Sequence, residues 1–366
     1  MKINLLTFHD ALNYGAVWQA YALSRTLTNM GYSARIINLH SPWELSKNKS
    51  FNPIVRLRRQ RFKRFLKHHL PPFTKEYFNS EGIEHDVPQG KVFVVGSDQV
   101  WNPSITKALM FDYFFEFVPD DVKKISYAAS FGKKEIEWSQ EQQTRIAFLL
   151  KRFYAVSVRE NSGVKICRDI AGIPAVPVLD PVFLLSNSDY SSFCSNTSAK
   201  SNGLFCYKFD KGQGFIETVD YLSKALNMPA YIIDRFRMRH LWAMPICSII
   251  DRFMGKRIKS ITLPDPETWL GSLRQASFVF TDSFHGLAFS IIFQKNFIVV
   301  PANSKRFIRI EELLNELNLD DRIFYSYDEI RRDQRWKEAI DYNRVNKILS
   351  RKIDSSFDFL KNALQF

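Results

Sequence analysis

Phe278-Val279-Phe280-Thr281-Asp282-Ser283-Phe284-His285-Gly286-Leu287-Ala288-Phe289-Ser290 reads as an apolar strand, a tight polar turn and an apolar helix. The turn lies at the carboxyl end of a parallel strand and at the amino end of a helix. Unpaired backbone N–H groups and the helix dipole make such a turn an anion site. Asp282 or Ser283 is suited to cap the helix, and Gly286 leaves room for a ligand to approach the backbone. His285 would then stand beside a bound anion, and histidine is the usual proton-transfer residue near neutral pH. A capped helix with a packed histidine is the structural alternative.

Working outward, the same alternation recurs. Leu204–Phe209 reads as a strand, Phe215–Leu226 as a helix, Tyr231–Ile233 as a strand and Pro266–Gln275 as a helix, and the strand Phe297–Val300 follows the central motif. From Ile308 the chain looks helical and charged. The opening reads as β-α-β: strand Ile3–Thr7, a polar loop, a helical rhythm at Val17, Tyr21, Leu23, Leu27 and Met30 ended by Gly31, then strand Ala34–Leu39. Apolar runs at Val92–Val95, Ile125–Ala129, Tyr154–Val158 and Val176–Leu179 extend it. The expected fold is α/β, two Rossmann-like domains with parallel sheets, and a cleft where strand ends converge. The polar stretch Ser186–Ser201 is the expected hinge. Domains are expected at 1–187 and 188–335, with a helical segment over 336–366.

With 366 residues, the chain exceeds the length at which single cores stop growing, which agrees with two domains. No repeat of fixed period and no Gly/Ser- or Pro-rich tract is present. The N-terminal apolar run is too short for a signal peptide, and no stretch approaches the ~20 apolar residues of a membrane span. Cys167, Cys194, Cys206 and Cys247 lack metal or redox spacing and are expected as free thiols in a reducing cytosol.

The net charge of +13 is unevenly placed. Between Leu45 and Lys75 there are ten Lys or Arg and no acidic residue; elsewhere 41 basic residues face 38 acidic ones. Within this basic segment (45–75), Leu57, Phe62, Phe65 and Leu66 are interleaved with cations. An amphipathic helix on an anionic membrane surface, a nucleic-acid track, or a solvated helix packed on the domain are the three readings. Nucleic acid is the least favoured, because the rest of the chain is nearly charge-balanced.

Three further places could carry chemistry. In Val92–Pro103 an apolar strand runs into Gly96-Ser97-Asp98-Gln99-Val100-Trp101-Asn102, rich in groups that hydrogen-bond sugar hydroxyls, with Trp101 offering a flat apolar face. A structural turn is the alternative. Asn13-Tyr14-Gly15 feeds a helix N-terminus but is no dinucleotide fingerprint. Arg159 ends the strand Tyr154–Val158, where its planar fork suits a carboxylate or phosphate; an ion pair with Glu160 or a neighbour competes with that reading. Asp180-Pro181 reads chiefly as a turn.

Three of these blocks together resemble the polysaccharide pyruvyl transferase family: Leu6-Thr7-Phe8-His9 through Asn13-Tyr14-Gly15-Ala16-Val17-Trp18-Gln19-Ala20-Tyr21-Ala22-Leu23, then Gly96 to Asn102, then Thr281 to Gly286 with its helix. The resemblance implies a fold similar to GT-B glycosyltransferases. It also implies transfer of pyruvate from phosphoenolpyruvate to sugar hydroxyls, usually as a ketal, in exopolysaccharide, capsule or cell-wall glycan synthesis in bacteria. His285 matches the family's functionally important histidine. Better-characterised members commonly carry a basic residue two positions earlier, where this chain has Ser283, so cations for the donor must come from elsewhere: Arg159, Lys305, Arg306 or Arg309.

Ser283, Phe284 and Gly286 complete the expected donor side in the C-terminal domain. Asn13, Tyr14, Gly15, Ser97, Asp98, Gln99 and Trp101 form the expected acceptor side in the N-terminal domain. Phosphoenolpyruvate enters as a substrate; no cofactor and no metal is implied. The expected partners are a sugar or lipid-linked oligosaccharide and an anionic membrane surface on the cytoplasmic side, without nucleic acid. The rivals are a GT-B glycosyltransferase using a nucleotide sugar and a non-catalytic basic protein binding membrane or nucleic acid.

Overall fold

In a computed structural model the chain divides into two units, Met1–Leu185 with Ile348–Phe366, and Ser186–Lys347. The structure describes residues 1–40, 53–133, 135, 138–194, 202–209, 212, 214–234, 257–301 and 304–365, without the side chains of 54, 234 and 304–306. Residues 45–52 of the basic segment, Ser195–Ser201 of the polar stretch, Cys247, and the side chains of Lys305 and Arg306 therefore lie outside the described residues.

The first unit carries a parallel sheet of seven strands in the order β3-β2-β1-β4-β5-β6-β7. These are β1 (Lys2–Leu6), β2 (Ser33–Leu39), β3 (Phe73–Tyr77), β4 (Val92–Val95), β5 (Lys123–Ala129), β6 (Ala155–Val158) and β7 (Val176–Pro177). Its longer helices are α1 (Tyr14–Asn29), α2 (Pro53–His69), α3 (Gln140–Lys151) and α4 (Asn161–Ala171). Strands β1 and β4 are buried along nearly their whole length, as a sheet covered on both faces requires. Asn13 caps α1, its side chain accepting from the Gly15 amide, and Gly31 (φ +87°) follows the helix in the left-handed region.

The second unit has a five-stranded parallel sheet in the order β10-β9-β8-β11-β12. Its strands are β8 (Leu204–Tyr207), β9 (Ala230–Asp234), β10 (Ile258–Thr262), β11 (Phe278–Thr281) and β12 (Asn296–Val299). Helices α5 (Phe215–Ala225), α6 (Pro266–Gln275), α7 (Phe284–Ile292) and α8 (Ser304–Glu316) connect or follow them. Strand β11 pairs Phe278 with Leu204 on one side and with Asn296 on the other. Asp265 caps α6 at the Thr268 amide, with Pro266 in the first turn.

The segment expected as helical from 336 is shared between the two units. Helix α9 (Tyr342–Leu364) begins in the second unit, and from Ile348 it belongs to the first. Leu360, Ala363 and Leu364 are buried, and the Ser356 hydroxyl accepts from the Leu179 amide at 3.0 Å. A helix with one apolar stripe buries it wherever a complementary surface exists.

Of the three readings of the basic helix, its apolar side follows the one in which it packs on its own domain. Phe62, Phe65 and Leu66 of α2, which the membrane reading would send to a lipid interface, are buried in the first unit. Phe62 lies 5.2 Å from Tyr14 and Phe65 4.8 Å from Trp18, ring centre to ring centre. Burying each such side chain contributes about 1.5–3 kcal/mol, so these rings hold the helix to its own domain. Arg58 turns inward too, donating to the Leu12 carbonyl at 2.9 Å. Arg56, Lys63, Arg64 and Lys67 stay exposed. Among the described residues no helix is long and apolar enough to cross a membrane, and Cys167, Cys194 and Cys206 are buried free thiols.

Candidate functional site

In the second unit the strand order reverses direction between β8 and β11. Open parallel sheets bind ligands outside the carboxyl ends of their strands at that point. The chain supplies Lys208 and Phe209 after β8, and Asp282 to His285 after β11. Two contacts lock the β11 turn. Thr281 donates its hydroxyl to the Tyr207 carbonyl at 2.6 Å, and the same oxygen accepts from the Ser283 amide at 3.0 Å. Ser283, not Asp282, caps α7: its hydroxyl accepts from the Gly286 amide at 3.3 Å.

Asp282 does something else. It accepts from the Phe209 amide at 2.7 Å, and its other oxygen lies 3.6 Å from the Lys208 ammonium. Lys208 also donates to the Val300 carbonyl at 2.8 Å. Both side chains are only 1% exposed. One buried cation thus ties together the carboxyl ends of β8, β11 and β12. Lys208 is not among the residues expected from the sequence, although it follows the apolar run Leu204–Tyr207 as Arg159 follows its own strand. Lys208 also lines a pocket of about 540 Å³ with Gly214, Val300, Tyr325, Tyr327 and Arg331.

His285 occupies the second position of α7 and is 7% exposed. Its ring stands edge-on to Phe284, centres 5.3 Å apart. The Arg309 guanidinium, from α8, lies 5.7 Å from the centre of the Phe284 ring. The fold therefore brings Ser283, Phe284, His285 and Arg309 to one helix N-terminus, where the dipole favours an anion. Packing by itself requires a glycine at 286. A Cβ there would meet the Thr281 hydroxyl oxygen at 2.5 Å and Ser283 Cβ at 3.3 Å. It lets the helix start against the strand end, and its amide is already used by the cap.

The first unit has its own reversal, between β1 and β4. Thr7 donates to the Ser97 carbonyl at 2.9 Å and accepts from Gln19 of α1 at 2.9 Å. The Ser97 hydroxyl donates to Asp180 at 2.8 Å, and Arg159 donates to the same carboxylate oxygen at 2.6 Å. Asp98 lies 3.6 Å from Arg159. Burial opposes the Arg159 charge, but Asp180, Asp98 and Glu160 outweigh it and keep the guanidinium firmly protonated. Its partner is Asp180 rather than Glu160, so the expected turn residue Asp180 is the buried anchor of this cluster. Glu160 instead accepts from the Ser130 hydroxyl and the amides of Phe131 and Gly132.

Asp98 holds φ +76° without being glycine. Strain of this kind gathers where structure positions function. Gln99 and Asn102 hydrogen-bond each other at 2.7 Å. Asn13 is half-buried as a cap, while Tyr14 and Gly15 are buried.

Trp101 cannot be the sugar platform the sequence suggested. It is 0% exposed, stacks on Phe114 at 4.9 Å and donates its indole N–H to the Tyr113 carbonyl at 2.9 Å. Its apolar face belongs to the domain core because the turn after β4 folds it inward. Among the described residues no group of three His, Cys, Asp or Glu is placed to hold a metal ion.

Residues 13–304 match the family model described as polysaccharide pyruvyl transferase. No curated protein sequence matches the chain. Among solved structures, a putative UDP-N-acetylglucosamine 2-epimerase from Listeria monocytogenes aligns at TM-score 0.54 and 11% identity, over 98% of this chain and 96% of that one. A UDP-N-acetylglucosamine 2-epimerase from Rickettsia bellii aligns at 0.54 and 9%, over 99% and 98%. A UDP-glucosyltransferase from Polygonum tinctorium aligns at 0.54 and 11%, over 99% and 97%. At such low identity these likenesses establish the fold alone: two parallel-sheet α/β domains of the GT-B type.

Proposed function

Because the chain belongs to the polysaccharide pyruvyl transferase family, we propose that it moves pyruvate from phosphoenolpyruvate onto hydroxyls of a sugar in bacterial surface-glycan synthesis. The observation that carries the reading is the gathering of His285, Ser283 and Arg309 at the N-terminus of α7. A donor bearing a carboxylate and a phosphate needs cations and helix amides, and the reaction needs a proton at carbon.

In this reading a sugar hydroxyl adds to C2 of the donor while His285 delivers a proton to C3, and the hydroxyl's own proton returns to His285. Phosphate then leaves C2, and a second hydroxyl of the same sugar closes the ketal, its proton passing to the departing phosphate. Arg309 of α8 holds the donor's anionic groups, taking the place of the cation that Ser283 lacks. Arg159, engaged by Asp180, holds the turn of Ser97 and Asp98 in the first unit. Asp98 and Gln99 serve the acceptor, positioned by the buried Ser97, with Asn13 and Gly15 shaping their own loop. No cofactor takes part. The acceptor is a sugar chain, carried on a lipid at the cytoplasmic face, and the exposed cations Arg56 and Arg64 give a purely electrostatic, salt-sensitive attachment there.

The test is phosphate release from phosphoenolpyruvate against a panel of lipid-linked and aryl glycosides. Release that depends on an acceptor, and that falls about 10²–10⁴-fold in His285→Gln, supports the reading. Release unaltered in a folded His285→Gln protein removes His285 from the mechanism. Thermal protection by a UDP-sugar but not by phosphoenolpyruvate would point instead to a nucleotide-sugar glycosyltransferase.

A further inference from the structure

The first unit holds a second pocket, of about 490 Å³, that the proposed reaction leaves unassigned. Its polar floor comes from the carboxyl ends of the first three strands: His9 and Asp10 after β1, Asn38 and His40 at the end of β2, and Glu76 on β3. Lys63 and Lys67, one turn apart on α2, form one wall, and Leu66, Leu70 and Phe73 supply apolar surface.

The floor is ordered. The His40 Nδ1 lies 3.1 Å from Asp10, and its Nε2 lies 3.6 Å from Glu76. Phe78 stacks on the His40 ring at 5.4 Å. His9 faces the Thr7 carbonyl at 3.1 Å, which requires a proton on Nδ1, and its Nε2 meets the Asn38 side chain at 2.9 Å. The β2–β3 register shifts between Ile36 and Asn38, and the Asn38 amide donates to the Thr74 hydroxyl instead. Such irregularities re-aim side chains beside sites.

The chemistry is two-faced. Carboxylates on the floor repel a bare anion but accept from hydroxyls, each with about four lone-pair positions. The two ammonium groups on the wall favour an anion. The apolar surface suits one face of a pyranose ring. The volume is that of a small-molecule site and exceeds what a lone phosphate fills.

We propose that this pocket binds a sugar unit bearing an anionic group, a phosphate or a carboxylate, with its hydroxyls on Asp10, His40 and Glu76 and its anion on Lys63 and Lys67. As the subsite for the acceptor's charged sugar it rests on the transferase reading above. Its test does not, because binding is measured without phosphoenolpyruvate.

Isothermal titration calorimetry on the full chain compares glucose 1-phosphate, glucuronate, glucose and inorganic phosphate. One or both of the first two should bind at least about tenfold more tightly than the last two, and which of them does so identifies the anion. Lys63→Gln with Lys67→Gln, both on an exposed helix face, should erase that advantage and leave glucose binding unchanged. His40→Asn should weaken glucose and the anionic sugar alike. Neither anionic sugar binding more tightly than both glucose and inorganic phosphate, or binding unmoved by the double lysine change, overturns the assignment. Saturable anionic-sugar binding without phosphate release on any acceptor would count against the transferase reading and leave this pocket standing.

Discussion

Replacing Lys208 by Met isolates what the buried cation does at the reversal point of the second sheet. At 3.6 Å and an effective dielectric of about 20, its attraction to Asp282 is about 4–5 kcal/mol. Methionine fills most of the lysine stem and removes the cost of burying an ammonium, which offsets part of that loss. It leaves Asp282 ionised with the Phe209 amide at 2.7 Å, and it takes away the donor to the Val300 carbonyl. Removing one partner of a buried pair costs about 3–5 kcal/mol. The long contact and the surviving amide put this case near the low end, about 3 kcal/mol. For a unit of this size that is a fall in Tm of about 6–12 °C, read by circular dichroism melts. Asp282→Asn added to Lys208→Met removes the stranded charge and keeps an acceptor for Phe209, so the double variant should recover more than half of the loss. A Lys208→Met protein within about 1 kcal/mol of wild type, or a double variant no better than the single one, would refute the reasoning.

Asp112→Asn should stabilise the protein at pH 7.5. Burial pushes the Asp112 carboxyl from an ordinary 3.8 up to about 6, with Glu84 and Glu116 adding to the rise and the Ser80 hydroxyl opposing it. The folded state therefore holds that proton more tightly than the unfolded chain. Ionised Asp112 costs about 2–3 kcal/mol above pH 6, and the cost fades as pH falls through 6 toward 4. The gain from Asn should follow that profile in melts taken from pH 4 to 8; a gain independent of pH would contradict it. Trp101→Ala should lose about 3–5 kcal/mol as a core truncation. Trp101→Phe should keep the acceptor KM, and a rise in that KM without loss of stability would restore the sugar-platform reading.

Much of the architecture was legible in order along the chain. Strands buried on both faces write themselves as unbroken apolar runs, so β4, β8 and β11 could be read directly, and β11 was read with its observed bounds. The cap-rich turn after it declared a helix N-terminus because Ser283 and Gly286 are there for local reasons: one accepts an amide, the other avoids Thr281. The edge strands β3 and β10 gave no such signal. Phe73-Thr74-Lys75-Glu76-Tyr77 and Ile258-Lys259-Ser260-Ile261-Thr262 are partly solvated and polar, and neither was anticipated.

What the sequence by itself determined, then, was the periodic and local part: two alternating α/β halves, a capped turn carrying His285, and a basic helix with one apolar stripe. Tertiary structure alone decided which way that stripe and the long side chains turn. Phe62 and Phe65 go to Tyr14 and Trp18 rather than to a lipid surface, Trp101 goes into the core, and Lys208 reaches Asp282 and Val300 across three strands. The physical reason is that burial and ion pairing depend on partners distant in sequence, 46 positions for Arg58 and Leu12, 92 for Lys208 and Val300. Hydrophobic and Coulomb energies reward proximity in space, and only the folded chain assigns that proximity.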